Sequence, residues 1–175
     1  VAGFLDDVLP VVQLEYRKDA YPRAPWKRID MYDGGTHGDE LAGDGVYAAQ
    51  VPGPGDPAME AGDLLEFRIA LEDANGRGRT VPAINRAGVT QGPYSYLCVF
   101  GEDQGFTGEF PTYHILLAEE NRTGPSGLES RGDDSDTLLD CTFITSGGRI
   151  IYNCGTRYRG NGSRRAPYSF RMEFP

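Results

Sequence analysis

The 175-residue chain is poor in cysteine, with three, and it holds one tryptophan and two histidines. Three cysteines are too few for a disulfide-stapled small fold, so a hydrophobic core has to hold the chain together. His37 and His114 lie far apart and show no metal-ligand spacing, which argues against a zinc site. No apolar run approaches the ~20 residues that cross a bilayer, so no membrane span is expected. Positive charge is also scarce. Lys and Arg number 17 against 26 Asp and Glu, a net charge of −9, and the basic residues form no long stripe. That argues against a nucleic-acid surface and for a soluble acidic protein. There is no Walker loop and no GxSxG elbow. The first residue is Val1 and no signal peptide precedes it, so the chain reads as a processed product, a crop or a fragment.

What the chain does have is glycine, proline and aromatics: Gly 24, Pro 12, Tyr 10 and Phe 8. Together they suggest many short strands and turns, a mainly β fold. The densest stretch is Asp33–Tyr47, DGGTHGDELAGDGVY, with five glycines and three aspartates in fifteen residues. Such density means a shaped loop with backbone at positive φ. Asp33, Asp39 and Asp44 each adjoin a glycine, where the chain can curl their carboxylates inward. Calcium takes six to eight oxygens from carboxylates, carbonyls and water, so these three are the candidate ligands. The spacing is not that of an EF-hand. The alternative is an Asx-turn loop whose aspartates bond their own backbone and water.

Strands are expected at Val11–Tyr16, Trp26–Tyr32, Val46–Val51, Leu64–Leu71, Arg79–Pro82 and Ser95–Phe100. In LLEFRIAL, Leu65, Phe67, Ile69 and Leu71 share one face and Glu66 and Arg68 the other, the pattern of a half-buried antiparallel strand. Asp73–Gly78, DANGRG, carries an Asn-Gly hairpin signal. Six short strands suggest an immunoglobulin-like or fibronectin-like β-sandwich over residues 1–100. Residues 101–109 read as a linker. Residues 110–175 start a second unit, with strands at Phe110–Ala118, Asp140–Thr145 and Arg149–Arg159, a polar loop or short helix over Glu119–Asp136, and a final strand. Asp133, Asp134 and Asp136 cluster in that polar stretch, as a solvated loop or a second cation site. Arg157, Arg159, Arg164 and Arg165 form the one basic cluster. Arginine forks suit phosphate, so Arg157, Arg159 and Arg164 are candidate phosphate ligands, against the alternative of pairing with local acids such as Glu173. Asn121-Arg-Thr and Asn161-Gly-Ser match the glycosylation sequon.

The runs MYDGGTHGDELAGDGVYAAQVPG and LLEFRIALEDANGRGRTVP resemble an immunoglobulin-like module of large bacterial secreted proteins. With Val1–Asp7 as the end of that module's second strand, its first strand would be missing. FPTYHILLAEEN and NCGTRYRGNGSRRAPYSFRMEF resemble the opening of a spore-coat CotH kinase-like domain. The resemblance implies a secreted or cell-surface bacterial setting. The family is an atypical protein kinase that uses ATP and a divalent metal. Its catalytic carboxylates lie downstream of the RYRG segment and so beyond Pro175. Two positions where that family often has lysine hold Tyr168 and Glu173.

The expected role of this chain is therefore a non-catalytic scaffold or recognition module with a protein or cell-envelope partner. The alternatives are a calcium-stiffened adhesion or surface-layer module with no kinase role, and part of an active kinase whose catalytic residues lie further on. A disulfide between Cys141 and Cys154 is also expected. With Gly147-Gly148 at the centre of a two-residue hairpin turn, successive pairs run outward to Cys141 opposite Cys154. An oxidising compartment would let the bond persist; the alternative is two reduced cysteines packed as small apolar residues. Cys98 is left as a thiol.

Overall fold

The computed structural model describes residues 11–51, 59–82, 95–101, 111–130, 135–159 and 168–175. These residues are mainly β, with two antiparallel sheets and one short helix among them. The first sheet holds β1 (Val11–Lys18), β2 (Lys27–Asp30), β3 (Leu64–Glu72), β4 (Gly78–Val81) and β5 (Tyr96–Val99), in the order β2-β1-β3-β4, with β5 also on β3. The second runs β6-β7-β8-β9, from β6 (His114–Leu116), β7 (Leu139–Ile144), β8 (Ile150–Tyr158) and β9 (Phe170–Glu173). Helix α1 (Glu119–Thr123) lies between β6 and β7. The expected linker at 101–109 and the leading residues 1–10 fall almost wholly outside the described residues.

Alternation decides which face of the first sheet is apolar. Val12, Leu14 and Tyr16 of β1 share a face with Leu65, Phe67 and Ile69 of β3. Leu14, Tyr16 and Leu65 are buried there beneath Met31, Ala49, Val51 and Met59 from the long connection between β2 and β3. Those connecting residues cover the sheet without forming a strand of their own. The strand expected over Val46–Val51 is reduced to one isolated bridge, Tyr32 to Ala48. Ala49 and Val51 pack on the core, but only Ala48 finds a backbone ladder.

The opposite face was expected to be the wet one, and it is not. Glu66 is fully buried, and Glu15 and Arg17 nearly so. Cross-strand register explains this. Glu15 faces Arg68 and Arg17 faces Glu66 across β1 and β3, and Glu15 also faces Arg28 on β2. Each opposed pair is an ion pair. Trp26 lies under two of the guanidiniums, 4.1 Å from Arg17 and 4.4 Å from Arg68, the geometry of cation–π attraction. Burial would push the Glu15 carboxyl up, but hydrogen bonds from Arg28 and Arg68 outweigh it and hold the group below its ordinary pKa.

The sheets meet along a seam. Leu97 of β5 packs with Leu116 of β6, Ala118 at the start of α1 and Ile144 of β7, with Leu64 and Val99 against them. Phe67, Tyr96 and Tyr152 add an aromatic trio, with centroids 4.7 Å apart for the two tyrosines.

Candidate metal site in the glycine-rich loop

The loop from Asp33 to Val46 is closed at its neck by two hydrogen bonds, Tyr32 N–H to Ala48 O and Ala48 N–H to Tyr32 O, each 2.9 Å. Inside it, Gly35, His37, Gly38, Gly43 and Gly45 all have positive φ. Those turns aim backbone N–H groups at the aspartates. Asp33 accepts from Gly43 N at 2.6 Å and Gly45 N at 3.0 Å. Asp39 accepts from Gly35 N at 2.6 Å and Leu41 N at 3.2 Å. Asp44 accepts from Val46 N at 2.8 Å. His37 does not reach in as a ligand; its ring stacks on Tyr32 with centroids 4.9 Å apart and contacts Thr36 Oγ1.

The result is that the three aspartates named from sequence converge. One carboxylate oxygen from each lies within 4.8 Å of the other two. Oxygens on a calcium ion sit about 2.3–2.6 Å from it, so two of them are at most about 5 Å apart. The trio satisfies that limit. An ionised carboxylate has about four acceptor sites, so the backbone bonds leave room for a cation. Asp39 is buried and Asp44 exposed, which leaves the solvent side for water ligands. The self-bonded Asx-type loop and the candidate cation site share one geometry: the N–H bonds fix the carboxylates that an ion would use.

Of the arginine cluster, only Arg157 and Arg159 lie among the described residues. Arg157 Nη1 lies 3.0 Å from both Asp136 Oδ1 and the carbonyl of Tyr158. Arg159 is exposed and its N–H is used by the Ser169 carbonyl at 2.7 Å. Arg164, Arg165, Asn161, Asp133 and Asp134 lie outside the described residues. Asn121 is 6% exposed, with its Nδ2 donating to the Asp140 carbonyl at 3.1 Å, so the folded chain does not offer that sequon at its surface.

Cys141 and Cys154 are Cα partners, both buried and both present as thiols. The pairing arises differently from the tight turn expected. The turn is wider, with Thr145 N–H bonded to Arg149 O and Gly148 at positive φ, so Ile144 faces Ile150. A register shift beyond Phe143, with Asn153 at φ 56°, then restores the cysteine pair. Burial, helped by Cys154 and Asp140, pushes the Cys141 thiol far up.

A second group of carboxylates was not foreseen. They are Asp19 after β1, Glu66 on β3 and Asp140 on β7, and the Glu66 charge raises both aspartates. Glu66 accepts from Arg17 Nε at 2.5 Å and Ser95 Oγ at 2.6 Å. Asp19 accepts the Glu119 N–H at 2.8 Å. A Glu in an alternating strand reads as solvent-facing; only its partner Arg17, 49 residues away, hints otherwise. No family model matches the chain, and neither a curated protein nor a solved structure matches it.

Proposed function

We propose that this chain is a non-catalytic scaffold or recognition module of a larger secreted or cell-surface protein, stiffened by calcium at Asp33, Asp39 and Asp44. The observation that carries the reading is the convergence of those three carboxylates within 4.8 Å. The assignment of charged groups supports a scaffold role. Glu15, Arg17, Arg28, Glu66 and Arg68 are committed to one another across the first sheet. The residue pattern of the tail supports a CotH-like parent, with β8 and β9 antiparallel on either side of the RYRG-to-Ser169 segment. In that parent, ATP and its divalent metal belong to downstream residues. The partner is a protein or a cell-envelope component.

A ligand that binds only the folded state raises stability by about 2.7 kcal/mol at a hundred times its Kd. Calcium is therefore expected to raise the melting temperature of the full chain above its value in chelator. Asp39→Asn should shrink that rise while leaving the chelator value close to wild type. Identical melting in calcium and in chelator would overturn the calcium part of the reading.

A further inference from the structure

The seam between the sheets carries more carboxylate than its donors can serve. Glu66 uses both its oxygens, one on Arg17 and one on Ser95. Arg17 Nη1 donates to the Ala24 carbonyl at 3.0 Å, and its Nη2 is buried with no partner. One arginine thus offsets one glutamate, and among the described residues no Lys or Arg forms an ion pair with Asp19 or Asp140; Arg23 acts on Asp19 only at a distance. Arg23 pairs with Glu120 at 2.6 Å. Asp19 satisfies one oxygen on the Glu119 N–H, but its Oδ1 is buried with no hydrogen bond. Asp140 Oδ1 is buried and unbonded too. The Asn121 amide bonds the backbone of Asp140 and not its carboxylate. Across β7, β8 and β9 the residue in the same row is Glu173, paired with Arg171 at 2.8 Å. The Cys141 thiol adjoins Asp140 and is itself under that carboxylate's influence.

We propose that the seam is an acid-tightened joint: protonation of Asp19 and Asp140 holds the two sheets together, and their ionisation loosens them. A buried ionised carboxylate without partners is costly, and a neutral carboxyl both removes the charge and supplies a donor. Burial first, then the Glu66 and Glu119 charges, raises Asp19 to about 6 against the pull of the Glu119 N–H and Arg23. Burial and then Glu66 raise Asp140 to about 7. Both groups ordinarily titrate at 3.8. Between about pH 4 and pH 7 the folded chain holds protons that the unfolded chain has released. Stability from these two groups therefore falls as pH rises through that window and levels off above it. The strain is released most easily by local opening at the seam, where the apolar contact is a small cluster. This inference is independent of calcium.

The test is hydrogen exchange and urea unfolding of the full chain at pH 5 and pH 8, in chelator, with exchange corrected for its intrinsic pH dependence. The folded-to-unfolded ratio should drop by about tenfold or more between those pH values. Protection of Tyr96–Val99 and His114–Leu116 should fall more than that of Val11–Lys18. In Asp19→Asn/Asp140→Asn the seam amides should stay protected at pH 8. An equal loss in the double variant, or a uniform loss in β1 and the seam, would overturn the proposal. If the variant fails to fold, carboxyl NMR of the wild type decides it: titration midpoints of Asp19 and Asp140 near 4 contradict the joint, and midpoints near 6 and 7 support it.

Discussion

The glycine-rich loop and the seam each involve three carboxylates, and the protein treats them in opposite ways. In the loop, five backbone N–H groups serve Asp33, Asp39 and Asp44. In the seam, Glu66 relies on two side-chain donors, Asp19 on one backbone N–H, and Asp140 Oδ1 has none. The difference comes from backbone conformation. Strand amides are spent on neighbouring strands, so a carboxylate on a strand depends on what other side chains bring. A loop with repeated positive φ frees its amides and can aim several at one carboxylate. The first arrangement suits holding a cation; the second makes charge itself the variable.

The comparison can be broken hardest at Glu66. Replacing it with leucine leaves Arg17 buried without its charge partner, which should cost about 3–5 kcal/mol. Arg17→Leu/Glu66→Leu should recover much of that loss. Urea unfolding at pH 6 checks both, and additive losses would show that the pair is not coupled. The same variants should leave the calcium response of the loop unchanged.

The next effect locks the seam from its second-sheet side. Oxidation of Cys141 and Cys154 by a small disulfide such as oxidised glutathione would form one S–S bond and release two reduced thiols. The cross-link joins β7 to β8 beside Asp140 and should stabilise the oxidised chain by about 2–4 kcal/mol. Mass spectrometry of a non-reduced digest identifies the bond, and unfolding with and without reductant gives its size. Alkylation of both cysteines in never-reduced, oxidant-treated protein would contradict the expectation.

The loop is weakened more gently. Gly35 has φ +67°, and an added Cβ would lie 3.4 Å from Ala42 N. Gly35→Ala should cost about 1–2 kcal/mol for the left-handed backbone. Because the Gly35 N–H fixes Asp39, it should also reduce calcium affinity while sparing the pH response of the seam. Unfolding in chelator and in calcium separates the two. The smallest effect is expected at Arg122, whose pairs with Glu119 and Glu129 are solvent-exposed. Arg122→Ala should cost less than about 1 kcal/mol in urea unfolding, marking how far an exposed ion pair falls short of the buried one.

Much of the first sheet was legible from the alternation in LLEFRIAL and the apolar run at Val11–Tyr16, because period-two patterning reports a face directly. The Asp33–Asp44 cluster was legible from glycine spacing, since those residues need no distant partner to converge. Val46–Val51 was misread as a strand because β propensity reports packing and not ladder formation. Glu66 was misread because its ion partner comes from another strand. The seam aspartates gave no local signal at all, as Asp19, Glu66 and Asp140 are brought together only by tertiary contact. Cys141 and Cys154 stand opposite each other as the hairpin count expects, but through two deviations that cancel, a wider turn and a register shift, and both are free thiols.

The most direct measurement is calorimetric titration of calcium into the full chain at neutral pH. The account predicts one ion per chain, with the binding heat abolished in Asp33→Asn/Asp39→Asn/Asp44→Asn while urea unfolding in chelator shows the variant still folded. No binding by the wild type at millimolar calcium, or undiminished binding by the triple variant, would contradict it.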